Sequence, residues 1–227
     1  KNNRSLIEYY FTLSPILPLY ILENFKFCDR ITTLDADIYF YSSPFEIFEK
    51  YNRDAILITP HDFSSDLAHL SIYGLYNVSF QSFPQTDNGL SLLRDWKEKC
   101  LAWCKDKFEP TTGYFADQKY LDDWQENFEN VHSINMANCG RAPWNISNLK
   151  LTIKNKTIYV NNQPLIYYHF HGLRINGSNV RHGLDLYKVS HLSAAIKKIY
   201  SKYILNLYAQ NKIIRNLEDH GVVRDQS

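Results

Sequence analysis

An α/β fold with a mixed sheet flanked by helices is expected from three features of the chain. Strand-like runs intermix with amphipathic helical stretches; hairpin signals concentrate late, at Asn155-Lys156 and Asn161-Asn162; and a helical stripe comes last. Late hairpins imply antiparallel pairs, so the sheet should be mixed rather than uniformly parallel. With 227 residues, 44% hydrophobic and 15% aromatic, the chain can bury one core of ordinary size.

Ser5 to Asn24 carries closely spaced apolar residues (Leu6, Ile7, Tyr10, Leu13, Leu17, Tyr20, Ile21) interrupted by Pro15 and Pro18. Proline has no N–H to give a helix interior, so broken helical turns are expected. Ile31–Leu34 reads as a strand, and Pro44–Tyr51 as a short helix behind the capping serines Ser42 and Ser43. Ala55–Thr59 reads as a buried strand stopped by Pro60, Ser64–Tyr73 as helical up to Gly74, and Asn77–Phe83 as a further strand. The longest amphipathic helix of the middle region is expected over Asp87–Asp106, with Leu90, Leu93, Trp96, Cys100, Trp103 and Cys104 on one side. A short helix follows over Asp117–Trp124. Leu151–Ile153 and Thr157–Val160 flank one turn dipeptide and Leu165–His171 follows the next, which reads as two successive hairpins. Leu192, Ile196, Ile199, Tyr200, Tyr203, Ile204 and Leu207 form a stripe opposite Lys197, Lys198 and Lys202, a final helix that needs a surface to cover.

A formal charge of +1 with both signs interspersed leaves no electrostatic footprint for nucleic acid. No run approaches the roughly twenty apolar residues needed to cross a bilayer, and no secretory leader is visible. Four scattered cysteines, Cys28, Cys100, Cys104 and Cys139, make neither a disulfide framework nor a zinc spacing. Buried free thiols at Cys100 and Cys104 and a cytoplasmic location are therefore expected, and the sequons at Asn77, Asn145, Asn155 and Asn176 read as chance matches. The chain opens without an initiator methionine, its one methionine being Met136, and is expected to be an excised piece.

Chemistry concentrates first in Leu34-Asp35-Ala36-Asp37-Ile38, where two carboxylates two residues apart close a strand. A turn there can aim both at one divalent cation. The bland reading is a solvated turn, but apolar neighbours on both sides make two uncompensated carboxylates costly. The second constellation is Tyr168-His169-Phe170-His171-Gly172, two histidines on one face of a strand end. Unligated histidines are common; beside an acidic pair, an imidazole suits manganese, whose preference for oxygen is less strict than that of magnesium.

Taken in order, LDADIYF, ADQKYLDDW at Ala116–Trp124 and YHFHG at Tyr168–Gly172 resemble the landmarks of GT-A-fold glycosyltransferases that use nucleotide-diphospho-sugars. The likeness covers Arg4 to Arg174 and is nearest to bacterial transferases with a Ser-Leu-x-Glu-Tyr segment upstream of the acidic motif, and more remote to the glycogenin group. It implies a GT-A-like catalytic domain over 1–185 with a C-terminal helical extension over 186–227. It also implies Asp35, Asp37 and His169 as ligands of Mn2+ or Mg2+, with His171 and Arg174 near the donor phosphates. Asp117 and Gln118 match an Asp-Gln pair beside the transferred sugar, and Asn77 matches a central-strand Asn near the sugar pocket. A helix cap for Asp117 and an edge-strand amide for Asn77 are the bland alternatives. Trp144 could stack on a sugar or pack in the core.

Sugar transfer grows negative charge on the leaving diphosphate while the sugar becomes oxocarbenium-like, so carboxylate and amide groups such as Asp117 and Gln118 would orient and stabilise the sugar. An inverting enzyme also needs a carboxylate base at the acceptor hydroxyl, for which Asp122 and Asp123 are candidates. The glycogenin likeness leans toward retention. Two departures stand out: Leu173-Arg174-Ile175 replaces the Lys-Pro-Trp common after the histidine motif, and only 34 residues precede Asp35. The part that clamps the nucleotide base is therefore expected to be truncated, and an exposed sheet edge or apolar face would favour self-association. The expected function is metal-dependent transfer from a nucleotide-diphospho-sugar, a UDP-sugar first, to an unknown hydroxyl acceptor. Two alternatives stay open: a haloacid-dehalogenase-type phosphohydrolase using the same Asp-x-Asp, and a non-catalytic carbohydrate-binding or interaction module.

Overall fold

The computed structural model describes residues 4–177 and 179–219, so the outer ends of both expected units lie outside the described residues. It is a mixed α/β structure. A four-stranded sheet of order β1 (Arg30–Leu34), β4 (Tyr76–Pro84), β3 (Ile56–Pro60), β5 (Val131–Ser133) forms the centre, with β4 antiparallel to both neighbours and β5 parallel to β3. Alternation along β3 splits the core. Ile56 and Ile58 join Phe83, Leu92, Leu93, Trp96 and Trp124 on one side, while Leu57 joins Phe80, Ile47, Ile166 and Tyr167 on the other.

The first side is covered by α1 (Leu6–Asn24) and α3 (Asp87–Ala102). Helix α1 is continuous through Pro15 and Pro18, which corrects the expectation of broken turns. A capping box between Ser5 and Glu8 starts it, and both prolines are buried with Thr12, Leu19 and Leu22. Packing against the sheet and α3 outweighs the two missing helical hydrogen bonds. Helix α3 begins at its Thr86 cap and stops at Ala102, short of the expected Asp106. Its last carbonyls find partners outside the helix: Arg4 donates to the Cys100 and Leu101 oxygens at 2.8 and 2.5 Å, and the Tyr120 hydroxyl donates to Lys99 and Trp103 at 3.3 and 2.7 Å. Cys104 is buried just beyond the helix, and all four cysteines are free thiols.

The other expected elements are present with adjusted shapes. Helix α2 spans Phe45–Phe48, Ser65–Tyr73 is 3-10 rather than α-helical, and a 3-10 turn over Gln118–Asp123 runs into α4 (Trp124–Asn127). Asn155-Lys156 and Asn161-Asn162 all adopt positive φ, as two-residue hairpin turns demand, and join β6 (Leu151–Lys154), β7 (Thr157–Val160) and β8 (Gln163–Pro164). The second hairpin is shorter than expected. Pro164 cannot donate to a ladder, and the chain leaves β7 so that β9 (Tyr167–His169) pairs antiparallel with β2 (Ile38–Phe40) instead. A small unforeseen hairpin, β10 (Arg174–Asn176) with β11 (Asn179–Arg181), follows.

Helix α5 (Ala194–Asp219) finds the surface it needs on this chain. Ile196, Ile199, Tyr200 and Tyr203 share a buried cluster with Tyr168 and Phe170, and Tyr203 stacks on Phe170 at 4.0 Å. Among the described residues no helix is long and apolar enough to cross a membrane.

Gly89 shows how tightly α3 seats on β4: a Cβ there would overlap the Pro84 carbonyl oxygen. Gly89→Ala should therefore destabilise the fold by about 1–3 kcal/mol, even though alanine favours an exposed helix by about 1 kcal/mol. Urea unfolding midpoints of the two proteins check this; a stabilised variant would contradict the packing described.

Candidate metal centre

The end of β1 places the acidic pair. The Asp35 N–H donates to the Ser79 carbonyl at 2.9 Å, and the Ile38 N–H turns back to Asp35 O at 3.3 Å, so both carboxylates leave one tight turn before β2 begins. The β2–β9 register then sets His169 opposite Ile38, and the Phe170 N–H donates to Asp37 O at 2.8 Å. His169 Nε2 lies 3.0 Å from Asp37 Oδ1 and 3.7 Å from Asp35 Oδ2. The imidazole side chain is 6% exposed, whereas the carboxylates, at 42% and 41%, keep a solvent face.

Three ligand atoms, one from each residue, lie within 4.8 Å of one another. A cation with bonds of about 2.1 Å holds its donors about 3–4 Å apart, the range of the 3.0 and 3.7 Å separations of the imidazole from the two carboxylates, and a two-oxygen, one-nitrogen set suits manganese better than magnesium. His169 Nδ1 is buried without a hydrogen-bond partner. The ring is held by its edges instead: Trp144 packs against it at 5.2 Å and 89°, and His171 at 5.7 Å and 87°.

The site splits its two carboxylates. Burial raises the Asp35 pKa, the nearby His169 opposing and Asp37 adding to the rise. For Asp37 burial also acts upward, but the hydrogen bond and charge of His169, with His171 behind it, prevail and lower it. The His171 pKa is lowered by desolvation first and by His169 second. Its turn is pinned where Gly172, at φ +80°, meets Gly183 so closely that a Cβ on Gly183 would strike the Gly172 backbone.

Asp117 is 1% exposed. Its carboxylate accepts the Ser14 hydroxyl at 2.5 Å, its main-chain oxygen accepts Trp96 Nε1–H at 3.0 Å, and it makes no side-chain cap to the 3-10 turn that follows. Burial pushes its pKa up to about 7 against the Ser14 and backbone hydrogen bonds, with the charge of Asp35 adding to the rise. The preceding Ala116 is buried at φ +47°, a costly conformation for a residue with a Cβ. Asn77 is buried on an interior strand, not an edge, where it accepts from the Ser79 N–H at 3.1 Å and from the Ser79 hydroxyl. Since Ser79 also receives the Asp35 N–H, Asn77 belongs to the wall behind the acidic turn.

Other expected site residues lie elsewhere or act differently. Gln118 Nε2 donates to Tyr73 O at 2.9 Å. Asp122 accepts from the Leu75 N–H and from Lys119, both at 2.7 Å, which occupies both of its oxygens. Asp123 is exposed, and among the described residues no hydrogen bond or ion pair joins either aspartate to the cluster. Arg174 is exposed and donates to Leu173 O, with its charge reaching His171. Trp144 offers no free face for stacking. It is buried among His61, Phe63, His169, His171 and Tyr187, and its indole N–H donates to His61 O at 2.8 Å.

Two residues of this wall went unforeseen. His61 is buried against Trp144 and stacked on Phe63 at 4.6 Å, and burial pushes its pKa down to about 3. Buried Arg141 binds Asp62 at 2.8 Å and receives the His169 N–H on its carbonyl at 2.8 Å. His61 directly follows a strand, as His171 nearly does, and that shared position was the available signal.

No protein-family model matches the chain. It is similar to two Bacillus subtilis (strain 168) proteins, each called an uncharacterized protein. YfnD is 28% identical over 208 residues, covering 91% of this chain and 67% of YfnD. YfnF is 34% identical over 187 residues, covering 79% of this chain and 61% of YfnF. The chain thus spans about two thirds of these relatives.

A buried acid whose folded pKa of about 7 exceeds its unfolded value stabilises the fold fully below the unfolded value, and that contribution disappears as pH rises through about 7. Between about pH 4 and 8 the wild-type protein should therefore lose melting temperature relative to Asp117→Asn. Parallel melting curves across that range check this; parallel pH profiles would contradict it.

Proposed function

We propose that the chain is the metal-binding part of a GT-A-like glycosyltransferase that moves a sugar from a nucleotide-diphospho-sugar, a UDP-sugar first, to a hydroxyl acceptor. The observation that carries this reading is the convergence of Asp35, Asp37 and His169, which arrive from two distant stretches of chain. Asp37 and His169, already 3.0 Å apart, and Asp35 would hold the cation, with Mn2+ the favoured ion. When bound, such an ion neutralises negative charge on a leaving diphosphate.

The remaining roles belong to the protein. His171, against the His169 ring, and Arg174, whose charge reaches His171, are both exposed and would receive phosphate oxygens. Asp117 lies close enough to feel the charge of Asp35 and would orient the sugar, with Asn77 backing the acidic turn through Ser79. Trp144, Phe63 and Tyr187 pack around the imidazoles and exclude water from their inner side. Both oxygens of Asp122 are bound by other groups, which disfavours it as an inverting base and also weakens the phosphohydrolase alternative, where Asp122-Asp123 would have to serve as a second acidic pair at the metal. A cytoplasmic setting is part of the same proposal.

Incubation with Mn2+ and a panel of nucleotide-diphospho-sugars, followed by measurement of released nucleoside diphosphate, tests the reading. Turnover should require the metal, cease with chelator, and fall by about 100-fold or more in Asp37→Ala while the melting temperature stays within a few degrees. Unchanged turnover in that variant would refute the assignment, and silence of the wild type across the panel would favour the non-catalytic module.

A further inference from the structure

Helix α1 carries a half-buried serine, Ser14, that bonds to Asp117, a residue within reach of the Asp35 charge, and its setting is unusual. A helical serine or threonine often bonds back to the carbonyl four residues earlier, as Thr12 does with Glu8 O at 2.7 Å. Ser14 instead donates at 2.5 Å to Asp117, from which it is separated by 103 residues. Pro15 follows it directly and Pro18 comes one turn later, and the fixed φ of both stiffens the helix on the C-terminal side of Ser14. Pro18 also has no N–H to offer the Ser14 carbonyl, as Pro15 has none for that of Phe11.

The Asp117 carboxyl takes its other hydrogen bonds from the backbone of Asp117 and Gln118, and Ser14 is the side chain that reaches it. Among the described residues no cation pairs with it; the charge of Asp35 beyond β1 reaches it, and its own charge reaches Cys100 on α3. The Asp117 main-chain oxygen is held independently by Trp96, and Ser14 gives the carboxyl its side-chain hydrogen bond beside those from the backbone. Helix α1, in contrast, is anchored many times over. Arg4 binds the end of α3, Glu23 pairs with Arg94 at 2.7 Å, Gln85 donates to Leu22 O at 2.6 Å, and Leu19 and Leu22 sit in the core. One hydroxyl is superfluous for holding this helix.

We infer that Ser14 is a positioning residue of the site: its hydroxyl fixes the rotamer of the Asp117 carboxyl, so that α1 forms part of the reactive centre and is not merely its cover. The contact stands on geometry alone, whereas its effect on turnover rests on the sugar-transfer reading above.

The test uses the full chain as wild type, Ser14→Ala, Ser14→Thr and Asp117→Asn. Carboxyl 13C NMR, with the Asp117 resonance identified by its loss in Asp117→Asn, follows the titration of that group, and Mn2+-dependent release of nucleoside diphosphate gives kcat and KM. Ser14→Ala should raise the Asp117 pKa, because a donor to the carboxylate is removed. It should also lower kcat by about tenfold or more with KM within about twofold, and Ser14→Thr should restore both readings. An unmoved Asp117 titration in Ser14→Ala overturns the inference, as does a moved titration with wild-type kcat or a threonine variant as impaired as the alanine one. A wild type inactive on every donor defeats the sugar-transfer reading and with it the role in turnover, while the NMR titration still decides whether Ser14 holds Asp117.

Discussion

The antiparallel pairing of β2 with β9 is the constraint on which the rest of the site depends. It puts Ile38 opposite His169 and so carries an imidazole from late in the chain to an acidic turn near its start. The register is locked on both faces. Tyr167 stacks on Phe80 at 5.5 Å and shares a 3.0 Å hydrogen bond with Thr59, while Tyr168, pointing the other way, packs on Phe170 and Tyr200. Because side chains alternate along a strand, a slip of one residue would move both tyrosines out of their clusters and turn His169 away from Asp37. The aromatic cores on the two sides thus specify the geometry of a polar site that contributes little hydrophobic burial itself.

The surroundings of the cluster follow from the same layering. The inner side of His169 is walled by Trp144, which also contacts His61 and His171, so three imidazoles share one indole. Burial keeps His61 neutral at physiological pH, which spares the wall behind the cluster an unpaired buried charge. The outer side stays open through the half-exposed carboxylates. A site apolar behind and polar in front strengthens charge interactions at its floor without closing access from solvent.

Local chemistry was legible in the sequence; long-range partnership was not. Asp35 and Asp37 announce themselves by two-residue spacing at the end of a β-rich run, and His169 by its place in an aromatic strand. The hairpin turns at Asn155-Lys156 and Asn161-Asn162 follow from residues that tolerate positive φ, and the capping box of α1 is equally local. What local pattern could not reveal is which strand β9 would join, since Leu165–His171 reads as well as a hairpin partner of β7. It likewise could not show that tertiary packing would carry α1 through two prolines, or that Ser14 would meet Asp117. Asp122 and Trp144 illustrate the converse: residue types suited to catalysis or stacking whose polar atoms and faces are already taken by Lys119, Leu75 and a ring of aromatic neighbours.

The central claim is that one cation is shared by Asp35, Asp37 and His169. It is tested most directly by electron spin-echo envelope modulation of Mn2+ bound to protein labelled with 15N-histidine. The account requires a nitrogen coupling from one directly bound imidazole, absent in His169→Ala. Stoichiometric Mn2+ binding with no such coupling, or with a coupling that survives in His169→Ala, would contradict it.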